Sequence, residues 1–147
     1  MTDLLDIGST IRDAYATSIG EGHKAWMGYA AKGMTVYHVP ELPGDGTPLG
    51  DLDQLAAGAD AETSALEKIS CKITVEAVRQ TGDDLLILEC VFTGVLPSGD
   101  AFSYPNVLLF TFRDDKIARL VEVASADMWS TLSKALRDAA GYTGAAS

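Results

Sequence analysis

The sequence predicts an α+β fold: a curved, mixed but largely antiparallel β-sheet wrapped around N-terminal helices, with an extra C-terminal helix. Three observations point there. Three apolar runs, Leu85–Leu96, Ala101–Phe112 and Lys116–Ala124, fill the last third of the chain, with turn-forming residues at Pro97–Asp100 and Arg113–Lys116 between them; this is an antiparallel meander. Helical periodicity dominates the residues before it. Finally, 147 residues of which 47% are hydrophobic suffice for one core but not two.

Taken in order, Leu4, Ile7, Ile11, Tyr15 and Ile19 recur on one helical face, with Asp3 at the start and Gly20 to Gly22 as a stop. A shorter helix over His23–Ala31 carries Trp26 and Ala30 on one side and ends at Gly33. Met34–Val39 has strand character and is closed by Pro40 and a Pro/Gly-rich loop over Glu41–Gly50. Asp51–Leu66 suits a third helix, its carboxylates reading as a solvated face. Ser70–Gln80 is a strand that turns at Thr81–Asp84 into the meander. Asp127–Ala140 is the C-terminal helix, capped by Asp127. The chain therefore reads as one domain over 1–140 with a flexible small-residue tail over 141–147.

Charge and composition exclude several classes of partner. Twenty-one acidic against eleven basic residues give a net charge of -10, a field that repels nucleic acid and anionic membrane surfaces. The N-terminus has neither a basic region nor a long apolar one, and no run reaches spanning length, so a cytoplasmic location is expected. Cys71 and Cys90 have no metal-ligand or redox spacing and read as buried thiols. With two histidines and no phosphate-cradling glycine motif, no metal and no cofactor is expected. His23 reads as a surface residue.

The element order is similar to the cone-shaped, cystatin-like fold of the nuclear-transport-factor-2-like superfamily. Within it, the chain resembles the SnoaL-like polyketide cyclases and ketosteroid isomerase-like proteins over roughly residues 5 to 125. Ala14 and Tyr15 stand at the place of the family's active-site tyrosine. Thr35–Pro40 resembles the strand that ends in a polar catalytic residue before proline, with His38 where isomerases carry an aspartate base. Phe112–Ile117 looks like the family's turn, with Asp115 replacing its glycine. The third and fifth residues after that isoleucine point into the pocket as His and Asp in the cyclases; here they are Leu120 and Glu122.

Strand register decides which side chains meet. With Ser98 and Gly99 as a two-residue hairpin loop, Thr93 faces Tyr104, Val91 faces Asn106 and Glu89 faces Leu108 on one side. The turn at Asp114 and Asp115 leaves two registers for the last strand. The one the resemblance implies sets Glu122 beside Leu108, on the face of Glu89 and roughly 10 Å from it. Leu108, Leu120 and Phe110 would desolvate Glu122 and raise its pKa, as a general acid or base requires. His38 would take the opposite role, and Tyr15 and Asn106 would donate hydrogen bonds to a carbonyl oxygen gaining charge. Trp26, Tyr29 and Tyr104 would supply flat apolar walls.

Each residue also has a plainer reading: His38 as a hydrogen-bonded strand end, Glu122 paired with Arg113 or Arg119, Glu89 at a solvated rim, Tyr15 and Trp26 as core fillers. Two functions follow. One is an acid/base enzyme of isomerase, cyclase or dehydratase type acting on an apolar carbonyl compound. The other is a non-catalytic module binding an apolar ligand or a protein on the same cone. A homodimer is expected through the opposite sheet face, drawn with Leu86, Leu88, Cys90, Phe92, Val107, Leu109, Val121 and Val123.

Overall fold

The computed structural model describes residues 3–48, 60 and 62–140. Asp3 opens α1 (Leu4–Thr17) by accepting the Leu5 N–H on its carboxylate at 2.9 Å. Leu4, Ile7, Ile11 and Tyr15 form the buried stripe that the periodicity predicts. Gly8 sits under that stripe. A Cβ there would stand 2.4 Å from a Val78 methyl, so the missing side chain sets how closely α1 approaches the sheet.

The first helix ends at Ser18, not at the expected glycine stop. Ser18 is extended; its N–H closes α1, and its hydroxyl caps α2 (Ile19–Met27) by accepting the Glu21 N–H at 3.1 Å. Ser18 and Glu21 have capping-box spacing, stronger punctuation than two glycines. The second helix is therefore Ile19–Met27 rather than His23–Ala31, and β1 (Ala30–Val39) begins at Ala30 rather than Met34.

Residues 62–68 are helical (α3); most of the expected third helix, and the tail over 141–147, lie outside the described residues. The meander follows as β2 (Lys72–Thr81), β3 (Leu85–Val95), β4 (Ala101–Arg113) and β5 (Lys116–Ala124). The sheet order is β1-β5-β4-β3-β2, with β1 parallel to β5 and the rest antiparallel. This is the predicted mixed sheet. The final helix, α4 (Ala126–Ala140), is capped by the Ser125 hydroxyl, which accepts the Met128 N–H at 3.1 Å. Asp127 lies in its first turn instead of capping it. No helix among the described residues is long and apolar enough to cross a membrane.

One register differs from expectation. Leu96 N–H donates to the Asp100 carbonyl at 2.8 Å, and Gly99 has φ 95°, so the β3–β4 hairpin closes on three residues, Pro97, Ser98 and Gly99. Phe92 therefore pairs with Tyr104, Cys90 with Asn106 and Leu88 with Leu108. A one-residue slip reverses every side chain of β3. Leu86, Leu88, Cys90 and Phe92 accordingly lie in the core, Phe92 only 3% exposed, and not on the outer face. Between β4 and β5 the turn is tight, Asp114 and Asp115 both taking positive φ, and Leu108 pairs with Glu122 as expected.

Candidate active site

The site is built where β1, β5 and β4 lie side by side. Parallel pairing sets His38 opposite Glu122 and Val36 opposite Leu120, so these side chains share one face. Asn106 follows one pleat along β4 from Leu108, the partner of Glu122. Its Nδ2 donates to Glu122 Oε2 at 2.9 Å. Leu108, Leu120 and Phe110 are buried around this pair. Burial pushes the Glu122 carboxyl above its usual pKa and the charge of Glu62 adds to that, while His38 and the Asn106 hydrogen bond pull the other way without cancelling the rise.

His38 is held by a partner that the sequence reading missed. Its Nδ1 lies 2.6 Å from Asp45 Oδ1, and the second carboxylate oxygen accepts the backbone N–H groups of His38 at 2.7 Å and Leu42 at 3.0 Å. The Asp45 side chain is only 3% exposed. Burial by itself would raise its pKa; the His38 and Leu42 hydrogen bonds outweigh this and hold the carboxyl below its ordinary value. An ionised Asp45 fixes the proton on Nδ1 and leaves the Nε2 lone pair as the basic position. The Trp129 ring meets the imidazole edge to face at 5.0 Å, and its Nε1 donates to the Val39 carbonyl at 3.2 Å. The helix α4 thereby braces the end of β1.

Tyr15 arrives from α1. Trp26 Nε1 donates to its hydroxyl oxygen at 3.0 Å, leaving the phenol proton available to another acceptor. Burial, then the nearby Glu122 charge, raises the Tyr15 pKa well above the usual value against the pull of the Trp26 bond, so the phenol stays neutral. Trp26 also leans on Phe110, their centroids 6.0 Å apart. Gly22 makes this arrangement possible: a Cβ there would stand 1.9 Å from the Tyr15 ring.

Solved structures share this architecture. No protein-family model matches the chain and no curated protein does. A protein named as a SnoaL-like polyketide cyclase from Jannaschia superimposes with a TM-score of 0.61 at 18% identity, covering 88% of this chain and 91% of that one. An NTF2-like protein from Burkholderia thailandensis gives 0.65 at 16% identity over 90% and 98%. The fold is the nuclear-transport-factor-2-like cone. A hypothetical protein with a ketosteroid isomerase-like fold from Catenulispora acidiphila, solved with trimethylamine, gives 0.58 at 16% over 88% and 91%.

Of the residues singled out in the sequence, the cone brings Glu122, His38, Asn106, Leu108 and Leu120 together on β1, β5 and β4, and Tyr15 and Trp26 join them from the helices. Tyr104 shares the face of Asn106 but turns to α4, its hydroxyl 3.0 Å from Thr131 Oγ1. Glu89 is excluded. The register slip points it outward, where Arg79 Nε donates to it at 2.9 Å. Tyr29 is also displaced. Its carbonyl accepts the Ile117 N–H at 2.7 Å, about 17 Å along β5 from Glu122.

His23, expected at the surface, is partly buried instead. Its ring lies 5.8 Å from Tyr15 and 6.2 Å from Trp26, and its Nδ1 stands 3.3 Å from Thr63 Oγ1. Glu62, expected on a solvated helix face, keeps open surface. Desolvation nevertheless raises its pKa, and the charge of His38 opposes that shift. Asp45 had a legible signal: an aspartate between Gly44 and Gly46, in a loop directly following the histidine strand, favours an Asx-type turn. Nothing comparable marked Glu62 or Trp129.

Proposed function

We propose that the protein is a small-molecule enzyme transferring protons at carbon in an apolar carbonyl compound, of isomerase, cyclase or dehydratase type. The observation that carries this reading is the meeting of two independently oriented proton carriers on one partly buried face: His38 fixed by Asp45, and Glu122 fixed by Asn106. A structural carboxylate is ordinarily paired with a cation. Glu122 is instead paired with an amide and raised in pKa, the condition a general base needs near neutrality.

In the proposed reaction the Glu122 carboxylate takes a proton from the carbon next to the carbonyl. The C–H electron pair moves into an enolate, and the Tyr15 hydroxyl donates to the oxygen as charge builds. Protonated His38 returns a proton at a second carbon for isomerisation, or to a departing oxygen for dehydration. Asp45 stabilises the imidazolium between these steps. The family resemblance and the neighbouring cyclase- and isomerase-like structures support the class, and the sequence departs from the cyclases at Leu120.

The test is solvent exchange. Native protein with α-tetralone in heavy water should incorporate deuterium beside the carbonyl faster than the uncatalysed reaction, and Glu122→Gln should not. Tight binding of such ketones without exchange, unaffected by substitution at either His38 or Glu122, would replace the enzyme reading with that of a ligand-binding module.

A further inference from the structure

Asn106 is 2% exposed, and its Oδ1 has no hydrogen-bond partner among the described residues. The orientation of the amide follows from its neighbour: Nδ2 faces a Glu122 oxygen at 2.9 Å, and exchanging O for N would set two acceptors against each other unless Glu122 carried the proton. The unmatched atom is thus an acceptor, buried on the helix-covered face of the sheet beside a carboxylate. Buried amide oxygens are almost always satisfied in folded proteins, and each exception calls for a cause. Here the other polar groups of the pocket add to the imbalance. Glu122 is an acceptor when ionised, and the Tyr15 oxygen already receives Trp26 Nε1.

We propose that the pocket takes a ligand carrying its own hydrogen-bond donor, a hydroxyl or an amine N–H, which is delivered to Asn106 Oδ1 beside Glu122. This deepens the proposed function by naming a second group on the substrate, so that the carbonyl compound is a hydroxylated or aminated one. It changes the role expected of Asn106 from donor on the carbonyl to acceptor on the substituent. Recognition of this kind discriminates strongly, because an analogue without the donor leaves a buried acceptor unpaired. The apolar walls of Trp26, Phe110 and Leu108 take the rest of the molecule.

The experiment compares three probes of one carbon skeleton by isothermal titration with the full chain: α-tetralone and the alcohol and amine in which the same ketone carries a hydroxyl or an amino group on its saturated ring. The alcohol, the protonated amine or both should bind about tenfold to a hundredfold more tightly than the ketone. A preference for the amine that weakens as pH falls and Glu122 is protonated identifies an ionic donor; a preference for the alcohol identifies a neutral one. Asn106→Leu should abolish the preference, the donor probes then binding no more tightly than the ketone. Should that variant fail to fold, the side-chain amide resonance of Asn106 in the native protein gives a second readout, which should shift with the donor ligands and not with the ketone. Equal affinities for all three probes, or a ketone that binds best, would overturn the proposal. Because the readout is binding, failure of deuterium exchange leaves it standing, and successful exchange without donor preference removes it alone.

Discussion

Glu122 and His23 are shifted in opposite senses by burial, and the two give separable predictions. For Glu122 the folded pKa lies above the ordinary 4.5, so the folded state holds the proton more tightly than the unfolded chain. Its contribution to stability is full below about pH 4.5 and is lost as pH rises through the folded value. Glu122→Gln should therefore become progressively more stable relative to the native protein as pH rises through that window, while turnover falls by ~10²–10⁴-fold. Chemical denaturation at a series of pH values, beside the exchange assay, checks both halves. His23 goes the other way. Desolvation lowers its pKa from 6.5 to about 4, so its contribution is present above pH 6.5 and is lost as pH falls toward 4, by at most about 3 kcal/mol. Partial exposure of the ring keeps the real figure below that. His23→Gln should flatten the acid limb of the stability curve; an unchanged limb would mean that the ring titrates freely. Asp45→Asn offers a third reading at this scale. Losing the charge beside Nδ1 should release the His38 tautomer, visible in the imidazole nitrogen resonances, and turnover should fall even where ligand binding persists.

At the scale of elements, legibility depended on whether a pattern had one solution. The helix face of Leu4, Ile7, Ile11 and Tyr15 has one, and α1 follows it. The strand β3 does not: Leu85, Leu86, Ile87 and Leu88 are apolar on both faces, so burial could not choose between registers and hairpin geometry decided. Gly99 at positive φ selected the three-residue loop, and Glu89 went to the wrong side of the expected sheet for that reason alone. The β4–β5 pairing had no such ambiguity once the turn closed on Asp114 and Asp115, and Glu122 stands where the resemblance put it. Asp45 and Glu62 come from segments far from the meander in sequence, and Trp129 from the helix that directly follows it; periodicity carries no information about their meeting with His38 and Glu122. Gly22 was legible only as a helix breaker, although its function lies in the contact between α2 and the Tyr15 ring. Gly22→Ala should therefore force that ring aside, costing about 1–3 kcal/mol through overpacking and breaking the Trp26 hydrogen bond. The Trp26 indole N–H resonance reports the second effect, and a thermal melt reports the first.

For the whole molecule, the open question is what meets the convex side of the sheet. α1, α2 and the indole of Trp129 on α4 lie on the pocket side, and the opposite face presents Tyr37, Ile87, Val91, Val107, Leu109, Val121 and Val123, all only partly buried. Four strands contribute to this patch, and contiguous apolar surface of that extent is rare on monomers. Glu89, paired with Arg79, stands between Ile87 and Val91 on this face, and Arg119 stacks 4.7 Å over Tyr37, so charge interrupts the apolar surface as well as bordering it. We propose a homodimer formed through this face, with β3 contributing Ile87 and Val91 in place of the residues first expected. A stable interface needs about 800 Å² from each partner, which a five-stranded face can supply. Leu109→Glu, at the middle of β4 and pointing away from the pocket, should yield a folded monomer in light scattering at micromolar concentration, with ligand binding retained because Leu108 and Phe110 still face inward. A native protein that is already monomeric would reject the dimer, as would a Leu109→Glu variant that stays dimeric. Phe92→Glu would test something else: it buries a charge in the core and should prevent folding rather than dissociate a pair.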